Sequence, residues 1–453
     1  MSSAGTTYIC TTTPCKRDSV RGVKLTTMKR FTCIGAVCLA VLTPQTASAG
    51  SALTLTWIGG SSIKVEQMIG DCDYSAQATT GQCKPTTSRT STRGKVLGTD
   101  LGASFESQGK VIFLFGDSIG PTEDYFAADT IATSTSTDPA SGLFLDFLTN
   151  SDGTPYFAKV PGVRLGASEV PNAGIRLTNG TFVICNSGMD RNLPQPDANA
   201  YSVLTRFDET SRRFTLLRTI SSMPNGRFII TSLHASGNDV LMYGLGAYRA
   251  SDVYLAMIPA TTFDTGAGTR YFAGLVNGEP TWATSESNAA PVLVDNPLKG
   301  PAWPNDTPTI GNVSVVYAPD LALWLMTYDG GRQSQATAGV YFSYAEQPWG
   351  PWRAPQLIFN PRRDGALGKF IHDPSITPNP PGDGLNGPTI GANNPYTTPG
   401  ASYAPYLIER FTKVAGTTLS IYYTISTWNP YTIVEMRSDF AISTGSRRHA
   451  VRH

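Results

Sequence analysis

Helical periodicity is the first thing missing from this 453-residue chain. After Gly50 the apolar segments are short, rich in Val, Ile, Phe, Tyr and Thr, and broken by Gly, Pro, Asn and Asp. That pattern excludes a helical bundle and reads as an all-β protein. Charge is scarce too, at 15% Asp, Glu, Lys and Arg, with 35 basic residues against 34 acidic ones, which excludes a disordered polyelectrolyte. Histidine is rarer still: of four, His449 and His453 lie near the C-terminus, leaving His234 and His372, too few for the usual zinc patterns. Neither a glycine-rich phosphate loop nor a dinucleotide fingerprint is present. No metal in the catalytic centre and no cofactor are therefore expected.

Apolar runs stay well below the roughly 18 residues that a membrane helix needs, so no membrane span is expected in the mature protein. The one leader-like segment is N-terminal: Met28, Lys29 and Arg30 precede the apolar stretch 31–42, and Ala47-Ser48-Ala49 closes it. This reads as a secretory signal peptide cleaved after Ala49, preceded by an over-extended start of 27 residues, and it implies a secreted or periplasmic protein. Removing 1–49 takes away six Lys or Arg and one Asp, moving the net charge from +1 to −4. Nucleic-acid binding, which rests on an excess of basic groups, is then not expected. Of seven cysteines, Cys72, Cys83 and Cys185 remain. In an exported chain the first two read as a disulfide and Cys185 as a buried thiol.

What is present is a weak internal repeat. Five times a polar turn launches an apolar strand that ends in small or polar residues, at 109–118, 180–188, 237–246, 321–330 and 416–426. Four copies are followed by a second strand, at 201–207, 253–258, 338–344 and 431–437. Radially repeated four-stranded units make a β-propeller, and the count predicts a five-bladed β-propeller over residues 50–443, with a pair of β-sandwiches as the alternative. A basic tail, 444–453, is expected to be disordered. The Pro- and Gly-rich stretch 373–402 is too long for an idle loop inside a compact domain.

Carboxylates are the best candidates for chemistry, because glycosidic cleavage needs one acid and a second base or nucleophile. Asp117 closes the strand 111–115, and Asp100, in Thr99-Asp100-Leu101-Gly102, lies just before the strand expected to pair with it. Either aspartate taken alone also fits an Asx turn. Glu169 holds the matching position before the second repeat and is the third catalytic candidate. His234, Tyr248, Arg249, Asn312, Trp428, Asn429 and Tyr431 are candidate substrate contacts, by ring stacking or by hydrogen bonds to hydroxyls. The block Phe115-Gly116-Asp117-Ser118 is similar to the nucleophile block of one class of serine esterases, but no Asp is followed three residues later by the His they require.

Taken together, the Thr-Asp-Leu-Gly block, Phe115-Gly116-Asp117-Ser118, Glu169-Val170-Pro171, Tyr403-Ala404-Pro405-Tyr406 and 426–431 resemble the bacterial domain of unknown function 4185, grouped with endo-D-arabinofuranases. The resemblance spans nearly the whole mature chain and implies a five-bladed propeller glycoside hydrolase. Its substrate would be the α-D-arabinofuranosyl linkages within arabinogalactan and lipoarabinomannan. Carried over, Asp117 is expected as general acid and Asp100 as base. The alternative is a non-catalytic carbohydrate-binding propeller, which would need aromatic and amide contacts but no carboxylate pair. A monomeric state completes the expectations, and the sequence leaves room for a structural Ca²⁺ or Na⁺ ion in the central channel. Ser118 stands where Thr is commoner in the family, and the Cys72 to Cys83 loop reads as a local insertion.

Overall fold

The computed structural model describes residues 53–121, 129–163, 170–187, 200–294, 309–331, 336–376, 382–389 and 399–444. The segment 1–49, Glu169 and the tail from 445 lie outside them. The described residues fall in one compact unit, 51–453.

Five antiparallel sheets follow one another along the chain. After β1 (Leu53–Trp57) and β2 (Ile63–Gln67), blade 1 comprises β3 (Leu101–Ser107), β4 (Lys110–Asp117), β5 (Asp129–Ser134) and β6 (Asp146–Phe147). Blade 2 is β7 (Pro171–Leu177), β8 (Gly180–Ser187), β9 (Tyr201–Asp208) and β10 (Arg213–Ser222). Blade 3 runs through β11 (Ile230–Ser236), β12 (Asp239–Leu245), β13 (Val253–Pro259), β14 (Arg270–Val276) and β15 (Glu279–Ala283), with β16 (Pro291–Leu293) also on β13. Blade 4 holds β17 (Val313–Ala318), β18 (Leu323–Gly330), β19 (Gly339–Ala345) and β20 (Gln356–Phe359). Blade 5 contains β21 (Ala401–Leu407), β22 (Lys413–Ala415), β23 (Thr418–Trp428) and β24 (Thr432–Thr444). The five repeat copies are the second strands β4, β8, β12, β18 and β23.

The first strands form the inner ring, with β3 against β7, β7 against β11, β11 against β17, β17 against β21 and β21 against β3. The protein is a five-bladed β-propeller. Its ring is closed by the N-terminal strands, since both β1 and β2 pair with β24 of blade 5. Each blade is buried on both faces, so its inner strands are apolar at odd and even positions alike. In β4, Val111, Phe113 and Phe115 pack with Ile433 and Tyr422 of blade 5, whereas Ile112 and Leu114 pack with Val183, Cys185 and Val203 of blade 2.

Between β2 and β3 the chain makes α1 (Tyr74–Thr80), capped by Asp73 and spanned by the Cys72–Cys83 disulfide. Cys185 is a buried free thiol. Among the described residues, no helix is long and apolar enough to cross a membrane.

Candidate active site

First strands begin, and second strands end, at the same face of an antiparallel propeller, so that face collects the loop residues of all five blades. Asp100 sits there, 7% exposed, immediately before β3. Its neighbour Leu101 has φ 68°, a left-handed value that a bulky residue rarely adopts, and the register slips between Leu101 and Ala103. This bulge turns the chain at Asp100. The Leu101 N–H donates to Ser426 Oγ at 2.7 Å and pins the turn to blade 5. The Tyr403 phenol donates to Asp100 Oδ2 at 2.8 Å.

The Asp100 carboxylate rests against Gly116, where a β-carbon would lie 2.4 Å from Oδ1 and 3.0 Å from Val170 Cγ1. Only glycine fits beneath it, which accounts for the Phe-Gly-Asp spelling. Asp117 follows directly, 2% exposed, and stands opposite the equally buried Asp129 across the ladder. The structure thus brings Asp100 and Asp117 to one end of a single hairpin. Hydroxyls brace it from within: Thr99 Oγ1 donates to the Gly116 carbonyl at 3.0 Å and lies 2.8 Å from Ser118 Oγ, which is 2.7 Å from Thr130 Oγ1. Ser118, 1% exposed, braces the turn.

Blades 3, 4 and 5 supply the facing groups. Arg249, φ 55°, follows β12 with its guanidinium 4.8 Å from the Tyr248 ring centroid and 3.6 Å from Asp329 Oδ2. Burial works against the Arg249 charge, but Tyr248, Asp329 and Tyr403 hold its pKa above the ordinary value. Burial pushes the Asp329 carboxyl above the usual range, against the pull of Arg249 and of the backbone N–H groups of Asn312 and Ala404. The Asn312 N–H donates to Asp329 Oδ1 at 2.7 Å, and Asn312 Nδ2 donates to the Tyr406 phenol at 3.0 Å. Ala404, φ 54°, is the third left-handed non-glycine residue of this cluster after Leu101 and Arg249. Such conformations concentrate where a scaffold holds side chains for function.

The expected contacts separate into groups. Tyr248, Arg249 and Asn312 join the carboxylate cluster. Tyr431 is 1% exposed and packs with Trp428, Leu97 and Ile119, and its phenol donates to the Asp117 carbonyl at 2.8 Å. It supports the hairpin from inside and presents no surface for stacking. Asn429 accepts the His372 N–H on its carbonyl at 2.8 Å.

His234 is elsewhere. As the fifth residue of β11 it lies about 13 Å down the strand from the face that carries Asp100 and Asp117. It lines the axial channel, a cavity of about 250 Å³, with Nδ1 3.5 Å from Glu409 Oε1. Desolvation lowers His234 to about 4 and raises Glu409 to about 7, so the close approach is not an ion pair at neutral pH. Among the described residues no three His, Cys, Asp or Glu side chains come together to hold a metal ion.

Sequence reasoning missed Asp329, Tyr403 and Tyr406 as site residues. The signal for Asp329 was present: it ends the fourth repeat copy as Asp117 ends the first.

The fold and this face define a propeller with a buried carboxylate cluster at one end of its axis. The chain belongs to the family of the domain of unknown function DUF4185, whose model matches residues 86–437. A search of the curated proteins returns no match. Solved structures similar to this one include the GH43_1 enzyme from Xanthomonas citri, 10% identical, covering 77% of this chain and 91% of that one at a TM-score of 0.39. Another is a glycosyl hydrolase from Bacteroides ovatus, 10% identical, covering 75% of this chain and 83% of that one, also at 0.39.

Proposed function

We propose that this protein is an exported glycoside hydrolase that cleaves internal α-D-arabinofuranosyl linkages of cell-wall D-arabinan. The observation that carries the reading is the pair Asp100 and Asp117, buried at one end of the blade 1 hairpin and faced by tyrosines and Arg249. Asp117 protonates the leaving glycosidic oxygen, and Asp100 takes the proton of the attacking water. The Tyr403 phenol holds Asp100 in place, and Arg249 and Tyr248 contact the sugar hydroxyls. The choice of D-arabinan rests on the resemblance of the Thr-Asp-Leu-Gly and Phe-Gly-Asp blocks. Glu169 remains a catalytic candidate next to Val170.

Product analysis tests this directly. Residues 50–453 should release oligosaccharides from D-arabinan and not from L-arabinan, and Asp117→Asn should abolish the release. Binding of D-arabinan without cleavage would favour a carbohydrate-binding propeller instead.

A further inference from the structure

One buried pair at the catalytic face has no part in this chemistry. His372 Nδ1 lies 2.7 Å from Asp383 Oδ2, and their side chains are 3% and 0% exposed. The Asp383 carboxylate also accepts the N–H groups of Asp373 at 2.8 Å and Leu385 at 3.2 Å. The His372 backbone is engaged on both sides, donating to the Asn429 carbonyl and accepting from the Gly400 N–H, each at 2.8 Å. One residue therefore ties together the start of β21, the 428–431 turn and the segment 382–389.

That segment reaches the hairpin that carries Asp117. The Pro388 carbonyl accepts the Tyr431 N–H at 2.7 Å, and the Tyr431 phenol donates to the Asp117 carbonyl at 2.8 Å. Its other side rests on α1, where Gly384 meets Ala78 and Gly387 meets Tyr74.

We propose that His372 and Asp383 form a positioning dyad that docks the segment 382–389 against the 428–431 turn and thereby, through Tyr431, fixes the backbone of Asp117. The inference deepens the hydrolase reading and rests on it. A carboxylate that accepts Nδ1–H fixes the tautomer and plane of an imidazole. Nε2 has no hydrogen-bond partner among the described residues.

Asparagine places its amide nitrogen near the position of Nδ1, whereas glutamine reaches toward that of Nε2. His372→Asn should therefore recover most of the wild-type kcat. His372→Gln and Asp383→Ala should lower kcat about 10- to 100-fold, with KM within about twofold, as expected when the reacting groups are displaced. Combining His372→Gln with Tyr431→Phe should add little to either change alone, because both break one chain of contacts. Hydrogen–deuterium exchange without substrate gives a second reading: His372→Gln should speed exchange across 428–431 and 112–118, and His372→Asn should not. Equal losses in the Asn and Gln variants, or a loss in Asn alone, would overturn the proposal, the latter by placing Nε2 on the substrate. If the wild type cleaves no arabinan, the hydrolase reading fails, and the exchange comparison still decides whether the dyad docks the segment.

Discussion

Blades 1 and 4 build the same inner hairpin and load it in opposite senses. In blade 1 the carboxylate precedes the first strand: the Asp100 carbonyl accepts the Gly116 N–H at 3.1 Å, and its Oδ1 lies over that glycine. In blade 4 the carboxylate ends the second strand: the Asp329 carbonyl accepts the Gly311 N–H at 3.1 Å, and a β-carbon on Gly311 would lie 2.3 Å from Asp329 Oδ2. Each buried acid rests on a glycine of the segment paired with its own. The difference lies in what faces it. The Tyr403 phenol donates to Asp100 Oδ2, whereas the Arg249 guanidinium lies 3.6 Å from Asp329 Oδ2. Under the proposed mechanism, the same backbone places a reacting acid in one blade and a clamp in another.

The largest expected effect separates those roles. Asp100→Asn should lower kcat about 1,000-fold with KM little changed, the loss expected of a general base. Asp329→Asn should cost about 10- to 100-fold in kcat/KM, chiefly through KM, by freeing Arg249 from its position. Equal losses in kcat, measured on D-arabinan oligosaccharides, would break the comparison and make Asp329 a reacting group.

The glycines come next. A β-carbon at 116 or 311 must displace the carboxylate above it, so Gly116→Ala should lower kcat about tenfold or more and Gly311→Ala should mainly raise KM. Circular dichroism should show the fold intact in both. A silent Gly116→Ala would mean that the Asp100 position carries no catalytic weight.

Both hairpins were legible as strands because a glycine or polar turn before an apolar run is a local signal, and all five second strands carry it. Ring closure was not legible, since β1 and β2 pair with β24 at the far end of the chain and distant pairing leaves no local pattern. Asp100 and Asp117 stood out by their glycine-rich surroundings. Asp329 shared the position of Asp117 but did not stand out, because its significance depends on Arg249, which a different blade supplies. The depth of His234 in the channel was not legible for a related reason: the sequence puts it in a strand but does not say how far down the axis. Tyr403 acquires its role only where Ala404 turns left-handed and the register of β21 slips between Tyr403 and Tyr406.

A smaller effect tests the clamp itself. Burial raises the Asp329 carboxyl and Arg249 opposes the rise. Removing the cation in Arg249→Met should raise it further, so Asp329 holds its proton to higher pH. If an ionised Asp329 shapes the subsite, the acid limb of the kcat/KM profile should move to higher pH, and the loss should be smallest on the alkaline side. An unshifted limb would limit Arg249 to a direct contact with substrate.

The smallest effect on activity asks whether burial alone distinguishes Asp329. Glu435 of β24 is fully buried opposite Glu66, and neither of its carboxyl oxygens has a hydrogen-bond partner among the described residues. Desolvation, then Glu66 and Asp138, push its pKa from 4.5 to about 9. Because the folded state holds a proton that the unfolded chain releases, the stability contributed by this group is intact below about pH 4.5 and falls as the pH rises toward 9. Glu435→Gln removes that dependence. Its Tm should exceed that of the wild type by about 3 °C at pH 8 and by nothing at pH 4, with kcat unchanged. A gain confined to high pH would show that a buried acid facing other carboxyls is a burden on the propeller, which leaves the cation beside Asp329 as the feature that makes its burial useful. An unchanged Tm at pH 8 would mean that the scaffold accommodates an ionised buried carboxylate without such a cation, and the contrast between blades 1 and 4 would then rest on position alone.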